Sequence, residues 1–317
     1  MLNYILHIGI GGPHNGPKAV YDALHRMDQP EMLFGSTIST HERAEIERAL
    51  AGVTSPEEIR IIYASKSGTT METLDNFEYF YDFLKNKLGA IDNRVIAITS
   101  EGSQLWKQAQ ERKWRLELIP KNVGGRFSVF TPAGTVPLEL AGIDVEQFQA
   151  GGRNAGAGEA EVIFEYYQKG FTVHNFFFFN PELESLGKWW RQLVAESLGK
   201  DGKGILPIVS IGTNDLHSML QLYLDGPKNI YTTFVSAKPL PSIVHAILEG
   251  VKISYTNHGL PFRHIELPEL NAYHLGVFMQ TRMTEVIRVA ELMGVNPLNQ
   301  PAVEEYKKEA RLLLDQD

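Results

Sequence analysis

The chain has 317 residues, of which 43% are hydrophobic and 21% charged, and it contains no cysteine. This length gives a prior of about two domains, and the hydrophobic content excludes a disordered chain. The lack of cysteine excludes disulfides, thiol catalysis and cysteine-bound zinc. The formal net charge of −8 argues against nucleic acid or an anionic membrane as a partner, since both require a basic face.

The N-terminal segment, residues 1–10, is apolar but lacks the basic start and the small-residue cleavage site of a signal peptide. Its apolar run ends at Gly9 and Gly11, far short of the roughly 20 residues that a membrane span requires. We therefore expect a soluble, cytoplasmic protein without a membrane segment.

Short apolar runs alternate with longer helical patterns along the first half of the chain, which is typical of a parallel sheet with crossover helices. The predicted strands are Tyr4–Ile8, Met32–Phe34, Ile59–Ala64, Arg94–Thr99 and Trp114–Ile119. The predicted helices are Lys18–Arg26, His41–Leu50, Glu72–Leu88, Ser103–Glu111 and Thr131–Ala141.

Glycines cluster between residues 150 and 158, and we place a domain boundary there, which divides the chain into residues 1–150 and 151–317. Beyond it, Asn180 is expected to cap a helix that has Pro181 at its first position and ends near Ser197. The other predicted elements are strands at Phe176–Phe179, Ile205–Ser210, Ile230–Val235 and Phe262–Glu266, and helices at Asp215–Leu224, Pro241–Gly250, Tyr273–Met293 and Pro301–Leu314. The pattern predicts an α/β protein with two mainly parallel sheets.

The first predicted strand leads into the glycine-rich turn Gly9-Ile10-Gly11-Gly12-Pro13. A dinucleotide fingerprint would need a glycine at position 14 and an acidic residue at the end of the second strand. The chain has His14 and the run Phe34-Gly35-Ser36 instead, which argues against NAD. The glycines favour close approach of the backbone to another ligand, although a tight turn without a ligand uses the same residues.

A loop rich in hydroxyl groups, Ser65-Lys66-Ser67-Gly68-Thr69-Thr70, follows the third strand and precedes a long helix. Hydroxyl groups, a cation and free backbone N–H groups at a helix N-terminus together suit an anion such as a phosphate monoester. The Walker motif is absent, so the loop does not indicate a nucleoside triphosphate. A helix cap without a ligand is the alternative interpretation of this loop.

Six motifs occur in the order in which they stand in the phosphoglucose isomerase (glucose-6-phosphate isomerase) family, and the chain resembles that family over nearly its whole length. The motifs are Gly9-Ile10-Gly11-Gly12, Ser65-Lys66-Ser67-Gly68-Thr69-Thr70, Val123-Gly124-Gly125-Arg126-Phe127-Ser128, Glu196-Ser197-Leu198-Gly199-Lys200, Thr213-Asn214-Asp215-Leu216-His217 and Asn296-Pro297-Leu298-Asn299-Gln300-Pro301. The last continues through Lys307.

The resemblance implies two sugar-isomerase (SIS) domains, each a three-layer αβα sandwich with a mainly parallel sheet, with additional C-terminal helices. It also implies an active site between the domains, a homodimer, and the cofactor-free interconversion of glucose 6-phosphate and fructose 6-phosphate, a step of glycolysis and gluconeogenesis. No metal is expected either, because the ten histidines show no metal-binding spacing.

The resemblance also implies the roles of individual residues. Glu196 would be the base that moves a proton between C2 and C1, and Arg126 would face the enediolate. His217, reaching the site from the partner subunit, and Lys307 would assist ring opening. The residues that would bind the substrate and its phosphate are Gly11, Gly12, Ser65, Lys66, Ser67, Thr69, Thr70 and Gln300.

These residue types match the chemistry of an aldose–ketose isomerisation. One carboxylate placed between two carbons can carry the proton from one to the other. A fixed guanidinium stabilises the negative charge that develops on the enediolate oxygen. A histidine that titrates near neutrality can exchange protons during ring opening.

Besides the mild change of the family's usual glycine to Ala302, the chain departs from the family pattern in two places. Pro13 stands where the family usually has serine, and proline offers neither a hydroxyl nor a backbone N–H, so we expect weaker phosphate binding or a shifted sugar. The sequence also starts directly at the first strand, so we expect a compact form without the family's usual N-terminal region.

Three alternatives stay open. The enzyme could also act on mannose 6-phosphate, or the chain could be a non-catalytic SIS protein that binds sugar phosphates. A metal-dependent isomerase is the third reading and the one that the histidine spacing favours least.

Overall fold

The computed structural model describes residues 1–314, apart from the side chain of residue 311. The first half forms a five-stranded parallel sheet in the order β2-β1-β3-β4-β5. Its strands are β1 (Tyr4–Ile8), β2 (Glu31–Gly35), β3 (Ile59–Ala64), β4 (Val95–Thr99) and β5 (Arg115–Leu118). The helices are α1 (Gly12–Leu24), α2 (Thr40–Ala49), α3 (Met71–Leu88), α4 (Gln104–Arg112) and α5 (Pro132–Leu140).

The second half forms a four-stranded parallel sheet in the order β7-β6-β8-β9. Its strands are β6 (Val173–Phe178), β7 (Leu206–Ile211), β8 (Ile230–Ala237) and β9 (Phe262–Leu267). The helices are α6 (Val145–Arg153), α7 (Ala160–Gln168), α8 (Glu184–Leu198), α9 (Asn214–Ser218), α10 (Leu220–Asp225), α11 (Ser242–Asn257), α12 (Ala272–Met293) and α13 (Pro301–Leu314). The prediction of an α/β protein with two parallel sheets is confirmed.

The sheets divide the apolar core into layers because neighbouring side chains of a strand point to opposite faces. In β6, Phe176 and Phe178 belong to a large central cluster that also contains residues of α1, α8 and α12. Phe177 packs on the outer side, with Tyr255 of α11. The first sheet likewise places Ile62 in the central cluster and Ile61 in an outer one with residues of α3. Helices therefore cover both faces of both sheets.

The glycine cluster near residue 150 is not simply a linker. Helix α6 continues to Arg153, and a Cβ atom on Gly151 would lie 1.9 Å from the carbonyl oxygen of Tyr273 in α12. Glycine thus allows these two helices to touch at the backbone. Helix α6 therefore runs through the predicted boundary. The division of the chain after residue 150 stays a prediction.

Several predicted helices differ from the observed ones. Helix α1 begins at Gly12 rather than Lys18, because Pro13 in its first turn has no backbone hydrogen bond to lose. The predicted helix Asp215–Leu224 is two short helices, α9 and α10, and α11 continues seven residues beyond Gly250, to Asn257. Helices α6 and α7 were not expected from the pattern.

Asn180 occupies the predicted N-cap position with Pro181 in the first turn, but the helix that it precedes is a short 3₁₀ helix, Pro181–Leu183, in front of α8. The Asn180 side chain makes no capping hydrogen bond to this helix. Its amide instead bonds to both backbone groups of Ala237 at the end of β8, with the N–H of Ala237 2.7 Å from Oδ1. The side chain thereby links the ends of two neighbouring strands.

Across residues 1–314, no helix has both the length and the apolar character that a membrane span needs.

Candidate active site

The strand order of the first sheet determines where a ligand site can form. Strands β1 and β3 are neighbours in the sheet, and the connection from β1 runs outward to β2 whereas the connection from β3 runs in the opposite direction to β4. A crevice opens where the connections diverge in this way, outside the carboxyl ends of the strands. A cleft of about 760 Å³ lies there, lined by the turn after β1 and the loop after β3.

The glycine turn allows two loops to meet at the floor of the cleft. A Cβ atom on Gly12 would lie 1.9 Å from the carbonyl carbon of Gly125. Gly11 has φ +67°, a conformation that favours glycine. Both Gly11 and Gly12 line the cleft, so their backbone is available to a ligand, but the closest approach at Gly12 is to the protein's own loop.

The hydroxyl loop lies at the carboxyl end of β3 and leads into α3. Ser65, Ser67, Thr69 and Thr70 all line the cleft. The Ser65 hydroxyl accepts a hydrogen bond from the Gly68 N–H at 3.1 Å, and Ser67 does the same for Thr69 at 3.2 Å. The N-terminus of the 18-residue helix α3 adds a positive electrostatic field. The loop therefore has the geometry of an anion cradle.

Lys66 connects this loop to the segment that precedes Arg126. Its ammonium group donates hydrogen bonds of 2.9 Å to the carbonyls of both Lys121 and Val123. The residue lines the cleft, yet in this structure its charge is directed at backbone carbonyls. Lys66 thus fixes the position of the arginine loop relative to the hydroxyl loop.

Arg126 is buried, with 1% of its side chain exposed. Its Nε donates to the Ser197 hydroxyl at 2.9 Å, and its Nη1 donates to Glu196 Oε2 at 3.0 Å. The other acceptors are the Gln300 side chain and the carbonyls of Pro297 and Asn299. Burial lowers the pKa of Arg126, and the neighbouring carboxylate of Glu196 opposes that shift. A buried cation needs such partners.

Glu196 lies in the last turn of α8 with 28% of its side chain exposed to the cleft. Its Oε2 accepts from Arg126, and its Oε1 accepts from Gln192 Nε2 at 2.9 Å. The Lys200 ammonium donates to the Glu196 carbonyl at 2.6 Å, and a cation is favourable at a helix C-terminus. Burial and the proximity of Arg126 lower the pKa of Lys200. The carboxylate is thus fixed in position yet accessible.

The C-terminal segment forms another wall of the cleft. Gln300 and Lys307 both line it. The ammonium group of Lys307 forms an ion pair with Glu304 at 2.9 Å, and the Gln300 side chain bonds to Arg126.

His217 does not join the other predicted residues. It is exposed on α9, which follows the carboxyl end of β7. Helix α8 connects two parallel strands, so Glu196 near its end lies at the opposite edge of the sheet. A six-residue strand spans about 20 Å. The cleft, as described within residues 1–314, has no histidine in its lining.

Sequence reasoning missed Gln192 and Asn15. Gln192 stands four residues before Glu196, a spacing that places two side chains on one helix face, so the pattern contained a signal. Asn15 contacts Gln192 from α1 over a sequence separation of 177 residues, and no local pattern indicates such a contact.

Residues 1–314 also hold no cluster of three or more His, Asp or Glu side chains suited to a metal ion.

An anion cradle and a fixed, accessible carboxylate in one cleft define an α/β protein that can bind an anionic ligand beside a proton-transfer group. The family model of phosphoglucose isomerase matches residues 1–242. A glucose-6-phosphate isomerase from Symbiobacterium thermophilum is 31% identical over 357 aligned residues, which cover 97% of this chain and 79% of that protein.

Two solved structures extend the likeness. A hypothetical protein from Thermus thermophilus has a TM-score of 0.89 and 27% identity, with 99% of this chain and 84% of that one covered. A glucose-6-phosphate isomerase from Chlamydia trachomatis has a TM-score of 0.87 and 21% identity, with 99% of this chain and 70% of that one covered. At this identity the likeness shows a common fold and nothing further. The chain belongs to the phosphoglucose isomerase family, and its two parallel sheets have the SIS-type fold.

Proposed function

We propose that the protein interconverts glucose 6-phosphate and fructose 6-phosphate. The observation that carries this proposal is the position of Glu196, which is held between Arg126 and Gln192 in the wall of the cleft that the anion cradle also lines. Family membership supplies the substrate class, because the related protein named above is a glucose-6-phosphate isomerase.

The hydroxyl loop binds the phosphate through Ser65, Ser67, Thr69 and Thr70. In this position the carbon atoms of the sugar point toward Glu196. In the open-chain aldose, the Glu196 carboxylate takes the proton from C2, the electron pair forms the C1–C2 double bond, and charge develops on the C1 oxygen. A proton passes from the C2 hydroxyl to the C1 oxygen, so that the negative charge moves to the C2 oxygen. That oxygen forms the C2 carbonyl while the electron pair of the double bond takes the proton back from the Glu196 carboxylic acid at C1. A single carboxylate therefore serves both proton transfers at carbon.

Arg126 stabilises the enediolate oxygen in this proposal. Its Nη1 already donates to Gln300, so the substrate oxygen takes the place of that amide oxygen when it binds. A buried guanidinium needs little reorganisation as charge develops, which is the condition for strong electrostatic stabilisation.

Ring opening requires a further proton donor and acceptor. Lys307 lines the cleft, whereas His217 of the same chain lies at the far edge of the second sheet. We assign this histidine to the cleft of a second copy, so that the active unit is a homodimer. This assignment rests on the family resemblance and on the lack of a histidine in the described lining.

The activity is tested by conversion of fructose 6-phosphate, coupled to glucose-6-phosphate dehydrogenase. We expect turnover by the wild-type chain and a loss of roughly 10²- to 10⁴-fold in Glu196→Gln. Wild-type protein that binds the sugar phosphate without converting it would instead favour the non-catalytic alternative. Mannose 6-phosphate in the same assay determines whether a second sugar is used.

The shared histidine is tested by mixing two inactive variants, Glu196→Gln and His217→Ala. A heterodimer of the two contains one site with both wild-type residues. After subunit exchange we expect recovery of about a quarter of wild-type activity, since half of the dimers are mixed and each has one intact site. Mixtures that stay inactive after subunit exchange would contradict the shared histidine, and a monomer in sedimentation would contradict the homodimer itself.

A further inference from the structure

Helices α1 and α8 pack side by side next to the cleft, and one hydrogen-bond chain crosses between them. Asn15 Nδ2 of α1 donates to Gln192 Oε1 of α8 at 2.7 Å. Gln192 Nε2 in turn donates to Glu196 Oε1 at 2.9 Å. Gly11 leaves room for this contact, because a Cβ atom there would approach Gln192 Nε2 to 3.3 Å.

The direction of each hydrogen bond follows from the chemistry of its end groups. An ionised carboxylate only accepts, so Gln192 must present its NH₂ group to Glu196. Its amide oxygen then faces Asn15, which can donate through its own NH₂ group. If Gln192 turned over, its oxygen would face the carboxylate and two acceptors would repel each other.

We propose that Asn15 is a positioning residue for the isomerase reaction, because it fixes the orientation of the Gln192 amide and thereby keeps the Glu196 carboxylate aimed at the sugar. This rests on the proposed role of Glu196 as the base. Asn15 itself is not among the residues that line the cleft, so it acts on the reaction only through Gln192.

Two substitutions test the proposal. Asn15→Asp keeps the shape of the side chain but offers only acceptors, so Gln192 turns its oxygen to Glu196. It also adds a negative charge that disfavours ionisation of a nearby carboxyl, so the uncharged variant Asn15→Leu is the decisive one. Asn15→Leu removes the donor and leaves Gln192 free to rotate. In both variants we expect the acidic limb of the pH profile of kcat/KM to move to higher pH by about one unit, which is the effect of losing one hydrogen bond to a charged group. At a pH below that limb, kcat/KM should therefore fall roughly tenfold.

A double-mutant cycle separates positioning from a general loss of structure. In a Gln192→Leu background, Asn15→Leu should cause no further shift of the acidic limb, since its effect passes through Gln192. The matched control is Ser185→Ala, which removes another hydrogen bond between the same two helices, from Ser185 to Asp22. It should leave the limb where it is in the wild type.

Titration of the Glu196 carboxyl, followed by NMR on protein labelled with ¹³C in glutamate and assigned with Glu196→Gln, gives a readout that does not need turnover. An upward move of this titration in both Asn15 variants supports the proposal even if the wild type proves inactive as an isomerase. An unchanged titration, or an equal shift in Ser185→Ala, would overturn it. Wild-type turnover separately decides the proposed function.

Discussion

Glu196 accepts hydrogen bonds at both carboxylate oxygens, from Arg126 and from Gln192, and its backbone carbonyl accepts one from Lys200. The two side chains that bond the carboxylate are themselves fixed by hydrogen bonds, Arg126 to Ser197 and Gln192 to Asn15. The family motif predicts Glu196 and Arg126 as residues, but the motif does not predict that they touch. That contact requires the segment of Arg126 and the C-terminal end of α8, which are 70 residues apart in sequence, to meet after folding.

Pro13 is the cleft residue at which the resemblance predicts a departure from the family pattern. It lies in the first turn of α1 and lines the cleft, where a serine would add a hydroxyl and a backbone N–H. We expect Pro13→Ser to lower KM for fructose 6-phosphate roughly tenfold, the value of one hydrogen bond to a charged group, with little change in kcat. Steady-state kinetics measure both, and an unchanged KM would contradict a phosphate contact at this position.

At the scale of elements, the nine predicted strands all occur. Buried strands such as β4 and β6 are indicated directly by their short apolar runs, whereas β5 at the sheet edge has no buried residue. Helix ends are predicted less well. Helix α11 continues past Gly250, where a Cβ atom would meet nothing within 4 Å, so this glycine marks neither a turn nor a close approach. Helix α6 escapes prediction because its glycines serve close packing, Gly151 against α12 and Gly152 against Phe130.

The shape of the hydroxyl loop depends on Gly68. This residue has φ +70°, and a Cβ atom there would lie 2.4 Å from the backbone nitrogen of Leu105 in α4. Gly68→Ala therefore has to displace the loop from α4, and we expect at least a tenfold rise in KM for fructose 6-phosphate together with a lower melting temperature.

Gly89→Ala is the matched control, because Gly89 has φ +83° but open space around the missing Cβ atom. It should show only the cost of a left-handed conformation, about 1–2 kcal/mol of unfolding free energy, and an unchanged KM. Equal KM values for the two variants would show that the loop geometry does not govern phosphate binding.

At the scale of the whole molecule, one large apolar cluster joins the inner faces of both sheets, so the two halves share a core. Three buried histidines lie in these sheets or beside them. Burial lowers the pKa of His7 to about 3 and of His14 to about 4, with further lowering by the charges of neighbouring His14 and Lys18 respectively. Burial, with Arg263 and Arg282, also lowers the pKa of His174.

These histidines make the fold sensitive to acid. Below pH 6.5 an unfolded histidine binds a proton that the buried one does not, so stability is lost as the pH falls toward the lowered pKa values. Each such histidine costs about 1.4 kcal/mol of unfolding free energy per pH unit. Urea unfolding at pH 7 and pH 5 measures this slope.

Removal of one buried histidine should reduce the dependence of the unfolding free energy on pH by the contribution of one proton, about 1.4 kcal/mol per pH unit. His7→Leu takes away a ring whose two nitrogens have no hydrogen-bond partner, and it should flatten the fall in stability between pH 6 and pH 4.5. The exposed His258 gives the control, since His258→Leu should keep the wild-type slope. Identical slopes for all three proteins would contradict the assignment of acid sensitivity to buried histidines.

Proton transfer by Glu196 is the step on which the proposed isomerisation depends, and NMR of fructose 6-phosphate turnover in D₂O follows that proton. We predict that the wild-type protein forms glucose 6-phosphate that carries deuterium at C2, because the carboxylate exchanges its proton with solvent. Glu196→Gln should bind the sugar phosphate yet form product roughly 10²- to 10⁴-fold more slowly. Glucose 6-phosphate formed by Glu196→Gln at the wild-type rate, or product free of deuterium throughout, would contradict it.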